Sequence, residues 1–203
     1  MLTFAWTFAV GCGGGGYTYA GYDIDDHFPL DGNRTWEYAQ DDVNVDWLLQ
    51  VRKFAEVTTS GDWEIVTLEH SKVDPPELLY SVQWSSDSLD GVLIHGWTDE
   101  ETGTATTYDP PIIFGEHQME PGEEISTTTG VMTWTSTFES VEACPNHWTD
   151  EWDTCLKFTL DDGDADPTLG PAFAGTYWIV PRFGTAWIKP TGYSTNWVLT
   201  EHI

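Results

Sequence analysis

The chain has 203 residues, with 34 acidic against 7 basic side chains and a formal net charge of −27. That imbalance excludes nucleic acid as a natural partner, because such binding rests on Lys and Arg neutralising phosphates, and it argues against charge-driven binding to anionic lipid. Twelve Trp, eight Tyr and nine Phe supply apolar area for a core, and no segment after residue 12 approaches the ~18 consecutive apolar residues of a spanning helix.

Residues 1–16 read Met-Leu-Thr-Phe-Ala-Trp-Thr-Phe-Ala-Val-Gly-Cys-Gly-Gly-Gly-Gly. The first eleven are apolar or small and carry no acid, in a protein otherwise crowded with acids. Small residues Ala9 and Gly11 flank the place where a signal peptidase would cut. The tetrad Ala9-Val10-Gly11-Cys12 resembles the lipobox of bacterial lipoproteins. That resemblance implies a signal peptide over 1–11, diacylglycerol on the Cys12 thiol, and a lipidated Gly-rich tether over 12–22. Gly13, rather than Asp, follows the cysteine, which implies an outer-membrane or surface destination, periplasmic or outward-facing. The stretch holds no Lys or Arg and is short, as in a leader that starts upstream. Taken without the resemblance, the same residues make a β-strand followed by a glycine turn.

Residues 23–203 form a single domain, long enough to bury a substantial core and without an internal linker or repeat. The pattern is β throughout. Strands are predicted at 34–40, 45–57, 62–70, 79–85, 91–97, 104–108, 124–140, 154–160, 175–181, 184–189 and 195–202. Within them Trp36 and Tyr38 share one face, and so do Trp63 and Ile65, with Val66 and Leu68 opposite. The second strand is expected to be bulged near Arg52, and a short helix near 46–55 is the alternative for that stretch. The separators are turn chemistry: Ser60-Gly61-Asp62, Asp74-Pro75-Pro76, Asp90-Gly91, Pro121-Gly122 and Asp161-Asp162-Gly163. Many short strands with turn signals between them indicate an all-β domain of about ten strands, a strongly curved antiparallel sheet or barrel.

Phe28-Pro29-Leu30, then Gly32-Asn33, then Trp36-Glu37-Tyr38 resembles the opening of a group of bacterial secreted proteins and lipoproteins, where it follows the lipobox shortly. Tyr108-Asp109-Pro110-Pro111 and the closing stretch Gly175–Lys189 are similar to that group as well. The resemblance implies an exported all-β domain ending in a strand, a glycine turn and a strand, and it implies no activity. Pro181-Arg182-Phe183-Gly184 stands where that group has a simpler glycine turn.

Cys144 and Cys155 remain as a pair if Cys12 carries lipid. They bracket a short polar loop between strand-like stretches, so a disulfide is expected in an oxidising compartment. The alternatives are free thiols or a metal held by Cys144, His147 and Cys155, whose spacing does not match the paired Cys-x-x-Cys of structural zinc. Asp162, Asp164 and Asp166 place oxygens at alternate positions as in calcium loops. Pro167 stands where such a loop turns on glycine, and Phe173 occupies the place of its final Glu, so loop acids without calcium are expected. Asp23, Asp25 and Asp26 with His27 are read as solvating the end of the tether. The acids as a whole are read as a solvated coat, a cation or basic-partner site being the alternative.

The six histidines are scattered singly, and no Gly-x-Ser-x-Gly, His-Glu-x-x-His or phosphate-binding glycine loop occurs. No catalytic residue, metal or cofactor is therefore assigned. The function expected is a non-enzymatic binding or envelope-structural lipoprotein, attached to a membrane by lipid and meeting an envelope protein or glycan. The alternatives are a lipid carrier enclosing an acyl chain in a half-barrel, and a glycan-directed hydrolase using a carboxylate pair.

Overall fold

The computed structural model describes residues 21–28, 30, 34–40, 49–145, 154–163, 173–181, 183–191 and 196–202, the side chains of 52–56 and 201–202 aside. Cys12 and the leader lie outside the described residues. The strands are β1 (Tyr22–Asp23), β2 (Thr35–Gln40), β3 (Leu49–Ser60), β4 (Trp63–Lys72), β5 (Glu77–Asp87), β6 (Gly91–Asp99) and β7 (Thr104–Gly115). After these come β8 (Gln118–Met119), β9 (Glu124–Thr129), β10 (Met132–Ala143), β11 (Thr154–Asp161), β12 (Gly175–Val180), β13 (Gly184–Pro190) and β14 (Trp197–His202). One three-residue 3-10 turn, Asp25–His27, is the sole helical element among the described residues, and none is long and apolar enough to cross a membrane.

The all-β expectation holds, with more strands than the ten foreseen. Leu49–Ser60 is strand where a helix near 46–55 was the alternative, and its register shifts between Lys53 and Val57. The single strand expected over 124–140 is instead the hairpin β9–β10. Gly130, at φ 62°, takes the left-handed conformation that lets the chain reverse there. The β-prone residues on both sides of Gly130 hid this turn.

Two meanders make the large sheet. Strands β2 to β7 pair in sequence order, as do β9 to β14, and β14 pairs with β2 to join the halves into twelve antiparallel strands. The sheet curves until its edges, β7 and β9, meet. No ladder forms across this seam. Pro110 and Pro111 in β7 have no N–H to give, and the available donors are taken by side chains of the facing hairpin. Asp109 N donates to Thr129 Oγ1 and Ile113 N to Thr127 Oγ1, both at 3.1 Å, while Ser136 Oγ donates to the Phe114 carbonyl. A row of buried hydroxyls thus closes the barrel.

Period-2 alternation aims one face of each strand inward. Trp36 and Tyr38 of β2, Val66, Leu68 and His70 of β4, and Val82 and Trp84 of β5 are all buried. Opposite them lie Phe114, Phe138 and Phe158, each 0 % exposed. Phe138 and Phe158 stack with ring centroids 4.7 Å apart, Phe114 and Phe158 at 5.2 Å, and Trp134 lies on Phe173 at 5.3 Å. Such pairs add ~0.5–1.5 kcal/mol each beyond the area they bury.

The segment before β2 forms part of the core. Ile24 is fully buried, its N–H donates to the His117 carbonyl at 2.9 Å, and β1 pairs with β8. Gly115 admits it: a Cβ there would come within 2.9 Å of the Ile24 side chain. Phe28 packs on Trp84 at 4.7 Å and Phe114 at 5.7 Å. Residues 22–28 therefore act as a plug.

Candidate functional site

A small space lies between the plug and the inner wall. It measures about 40 Å³ and is walled by Phe28, Trp36, Tyr38, Trp84 and Tyr177, with His70 as its titratable base. Since one water needs roughly 10–15 Å³ by this measure, the space suits a few waters or a very small ligand. Strand alternation places each group: Trp36 and Tyr38 two apart on β2, Leu68 and His70 two apart on β4.

The polar atoms of this wall are mostly tied to backbone. Tyr38 Oη donates to the Thr185 carbonyl at 2.9 Å, Trp36 Nε1 to the Phe183 carbonyl at 2.7 Å, and Tyr177 Oη to the Phe173 carbonyl. Burial pushes the phenols of Tyr38 and Tyr177 far above their ordinary range, so both stay protonated. His70 stacks on Tyr80 with centroids 4.2 Å apart. Its Nδ1 lies 3.2 Å from the Leu68 carbonyl, which can only accept, so Nδ1 carries the proton and Nε2 is a lone-pair acceptor. Burial drives the imidazole down to about 3, and it is neutral at physiological pH. The indole N–H of Trp84 has no hydrogen-bond partner among the described residues. A neutral acceptor, a free donor and aromatic walls can hold a small neutral molecule. With no carboxylate on the wall and a base so far from neutrality, the site is ill-suited to proton transfer.

A second pair escaped the sequence reading. On the outer face of the β5–β6 hairpin, Ser85 Oγ and His95 Nε2 are 2.8 Å apart, both residues buried. Trp63 packs against His95 with the rings tilted and their centroids 5.1 Å apart, and its Nε1 donates to Asp90 Oδ2 at 2.7 Å. Desolvation lowers the His95 pKa. A nucleophile beside a base is the start of an acyl-transfer site. Here Ser85 is 2 % exposed and, among the described residues, no carboxylate is hydrogen-bonded to His95 to orient it. Hairpin register, which sets Ser85 against Leu93, was the signal that could have found the pair.

Cys144 and Cys155 are joined by a disulfide with Cα atoms 5.0 Å apart. The bond sits on the outer face, where Cys155, Trp178 and Val180 form a small separate cluster. Trp178 stacks on Trp187 at 4.9 Å and donates from Nε1 to Glu142 Oε1 at 2.8 Å, which holds that carboxyl below its usual range. The third member of the alternative metal set, His147, lies outside the described residues.

The acids at 23–26 do more than solvate a tether. Asp25 Oδ1 lies 2.6 Å from His117 Nδ1, and Asp23 accepts from Gln118 Nε2 at 3.1 Å. The Asp25 hydrogen bond raises the His117 pKa, with the charges of Asp25, Asp23 and Asp26 adding to it. These contacts tie residues 23–25 to His117 and Gln118, a role beyond solvating the tether. In the candidate calcium loop, Asp161 Oδ1 accepts from Gly163 N at 2.9 Å and Asp162 is buried, while Asp164, Asp166 and Pro167 lie outside the described residues. Among the described residues no three His, Cys, Asp or Glu side chains are grouped to hold a metal.

Comparison of the chain with family models, with curated proteins and with solved structures returns no match.

Proposed function

We propose that this chain is a non-catalytic binding or envelope-structural module, exported by a bacterium and held at a membrane through acylated Cys12. The observation that carries the proposal is the filled barrel. Phe114, Phe138, Phe158 and Trp134 occupy the interior, and the space beside His70 is about 40 Å³. Binding to a large partner then falls to the outer surface. An acyl-chain carrier would want a lined cavity, and a glycan hydrolase would want two facing carboxylates in a cleft ~5–9 Å apart.

Export rests on separate support. The Cys144–Cys155 bond fits an oxidising compartment, and the lipobox-like tetrad supplies the address. Fractionation of a bacterial host expressing the chain and its Cys12→Ser variant tests the proposal. The parent should sediment with membranes and take up an alkyne-tagged fatty acid, and the variant should do neither. Equal partitioning of both would contradict the anchor. Hydrolysis of model esters or glycosides that disappears in Ser85→Ala, or on removing one carboxylate, would contradict the non-catalytic assignment.

A further inference from the structure

The rings of Phe28, Trp36, Tyr38, Trp84 and Tyr177 stand around the space beside His70, and each of these residues is buried. Most polar atoms of this wall are already bonded. The N–H or O–H groups of Trp36, Tyr38 and Tyr177 all donate to backbone carbonyls. His70 is the exception. Its Nδ1 is held at the Leu68 carbonyl and its ring lies on Tyr80, so Nε2 is the polar atom it has left to offer. That nitrogen has no hydrogen-bond partner among the described residues. The indole N–H of Trp84, on the same wall, has none either. Buried polar groups are normally satisfied, by the protein or by a bound molecule.

The wall also limits the charge and size of an occupant. Burial holds His70 neutral and keeps the phenols of Tyr38 and Tyr177 protonated, so the same burial penalises a cation and an anion alike. No Lys, Arg, Asp or Glu among the described residues lines the space to offset either sign. A fitting occupant is therefore neutral and carries an O–H or N–H for His70 Nε2. At roughly 10–15 Å³ for each water-sized group, a space of about 40 Å³ holds about three heavy atoms. Waters filling it would face aromatic rings with hydrogen bonds unmade, whereas an alkyl group loses nothing there. A hydroxyl answers both orphaned groups of the wall, since it gives one hydrogen bond and accepts another.

We propose that this space is a binding site for a one- or two-carbon alcohol, its hydroxyl donating to His70 Nε2 and its alkyl group lying among the rings of Phe28, Trp36 and Trp84. The proposal goes beyond the binding-module assignment, which concerns large partners at the outer surface, and neither rests on the other.

Ethanol is the probe, titrated into the nitrogen-15-labelled chain and followed by NMR. At the best affinity per atom that very small ligands reach, its Kd is on the order of 1 mM. The expected result is a saturable shift of the His70 Nε2 resonance, with nuclear Overhauser contacts from the ethanol methyl to the Trp36 and Trp84 rings. Acetonitrile matches ethanol in heavy atoms but has no donor, and 1-butanol keeps the donor on a chain too long for the space. Each should bind about tenfold more weakly or worse. His70→Phe keeps a ring on Tyr80 and removes the acceptor, and it should weaken ethanol binding about tenfold or more. Val51→Ile leaves His70 in place and adds a methyl group to the wall of the space. It gives a second arm and should weaken binding similarly. Four results would overturn the proposal: no saturable shift with ethanol, equal binding of acetonitrile, equal binding to a folded His70→Phe, or equal binding to Val51→Ile. A His70 Nε2 that stays bonded to water throughout the titration would assign the space to bound water and overturn it too. None of these outcomes touches the lipid anchor, whose failure is read separately from Cys12→Ser.

Discussion

Replacing Thr127 by Val asks whether side-chain hydroxyls close the barrel. Thr127 is 6 % exposed, and its Oγ1 accepts from Ile113 N at 3.1 Å. Valine keeps the shape and removes the acceptor, so the amide of the half-buried Ile113 loses its partner. A buried donor stripped in this way costs ~1–3 kcal/mol. The added methyl returns at most ~0.8 kcal/mol of burial, so a net loss of ~1–2 kcal/mol is expected. Thr129→Val strips the N–H of Asp109, an exposed residue that water can reach, so it should cost less than Thr127→Val. Thr128→Val is the control. Its side chain is exposed and only reaches Thr133 Oγ1 at 3.1 Å, so it should stay within ~0.5 kcal/mol of the parent. Urea denaturation measures the stabilities, and amide exchange at Ile113 reports the seam directly. Equal stability of Thr127→Val and Thr128→Val, or unchanged protection at Ile113, would refute the hydroxyl closure.

Reducing the Cys144–Cys155 bond, which closes a sequence separation of 11, should cost ~3 kcal/mol by loop entropy, read as a lower urea midpoint; alkylation of both cysteines without prior reduction would contradict the bond. His70 is neutral in the fold down to about 3, whereas the unfolded chain takes its proton near 6.5. Stability should therefore fall as pH drops from 6.5 toward 3, by at most ~1.4 kcal/mol per unit, and His70→Phe should flatten that slope in acid denaturation. His117 runs the other way. Its folded pKa is raised by Asp25, so its contribution is full below about 6.5, the unfolded value, and fades as pH rises through the folded value. His117→Gln should abolish that alkaline-side loss in melting curves. With a net charge of −27, melting temperature should rise with NaCl as the Debye length falls from ~30 Å at 0.01 M to ~10 Å at 0.1 M; a calcium-specific increment over magnesium would contradict the reading of Asp162–Asp166 as plain loop acids.

Local periodicity made much of the fold legible. Alternation at Trp36 and Tyr38, and at Val66 and Leu68, names inward faces that the structure confirms as core. The turns at Gly61, Asp90-Gly91 and Pro121-Gly122 fall between strands as the residue types demand. What stayed hidden depends on contacts far apart in sequence. Asp25 and His117 are 92 residues apart, and Trp36 reaches Phe183 across 147. No spacing rule reports such pairs. The Thr127 and Thr129 hydroxyls look like generic strand residues until the sheet curls and brings β7 beneath them. The expected split of acids into a passive coat likewise missed Asp25, whose role exists only once the plug is seated.

The central claim is that the barrel is an exported module tethered at Cys12, and intact-mass spectrometry of protein extracted from bacterial membranes in detergent tests it most directly. The expected mass begins at Cys12 and includes a diacylglyceryl group on that cysteine. A chain that retains Met1 and carries no lipid mass would contradict it.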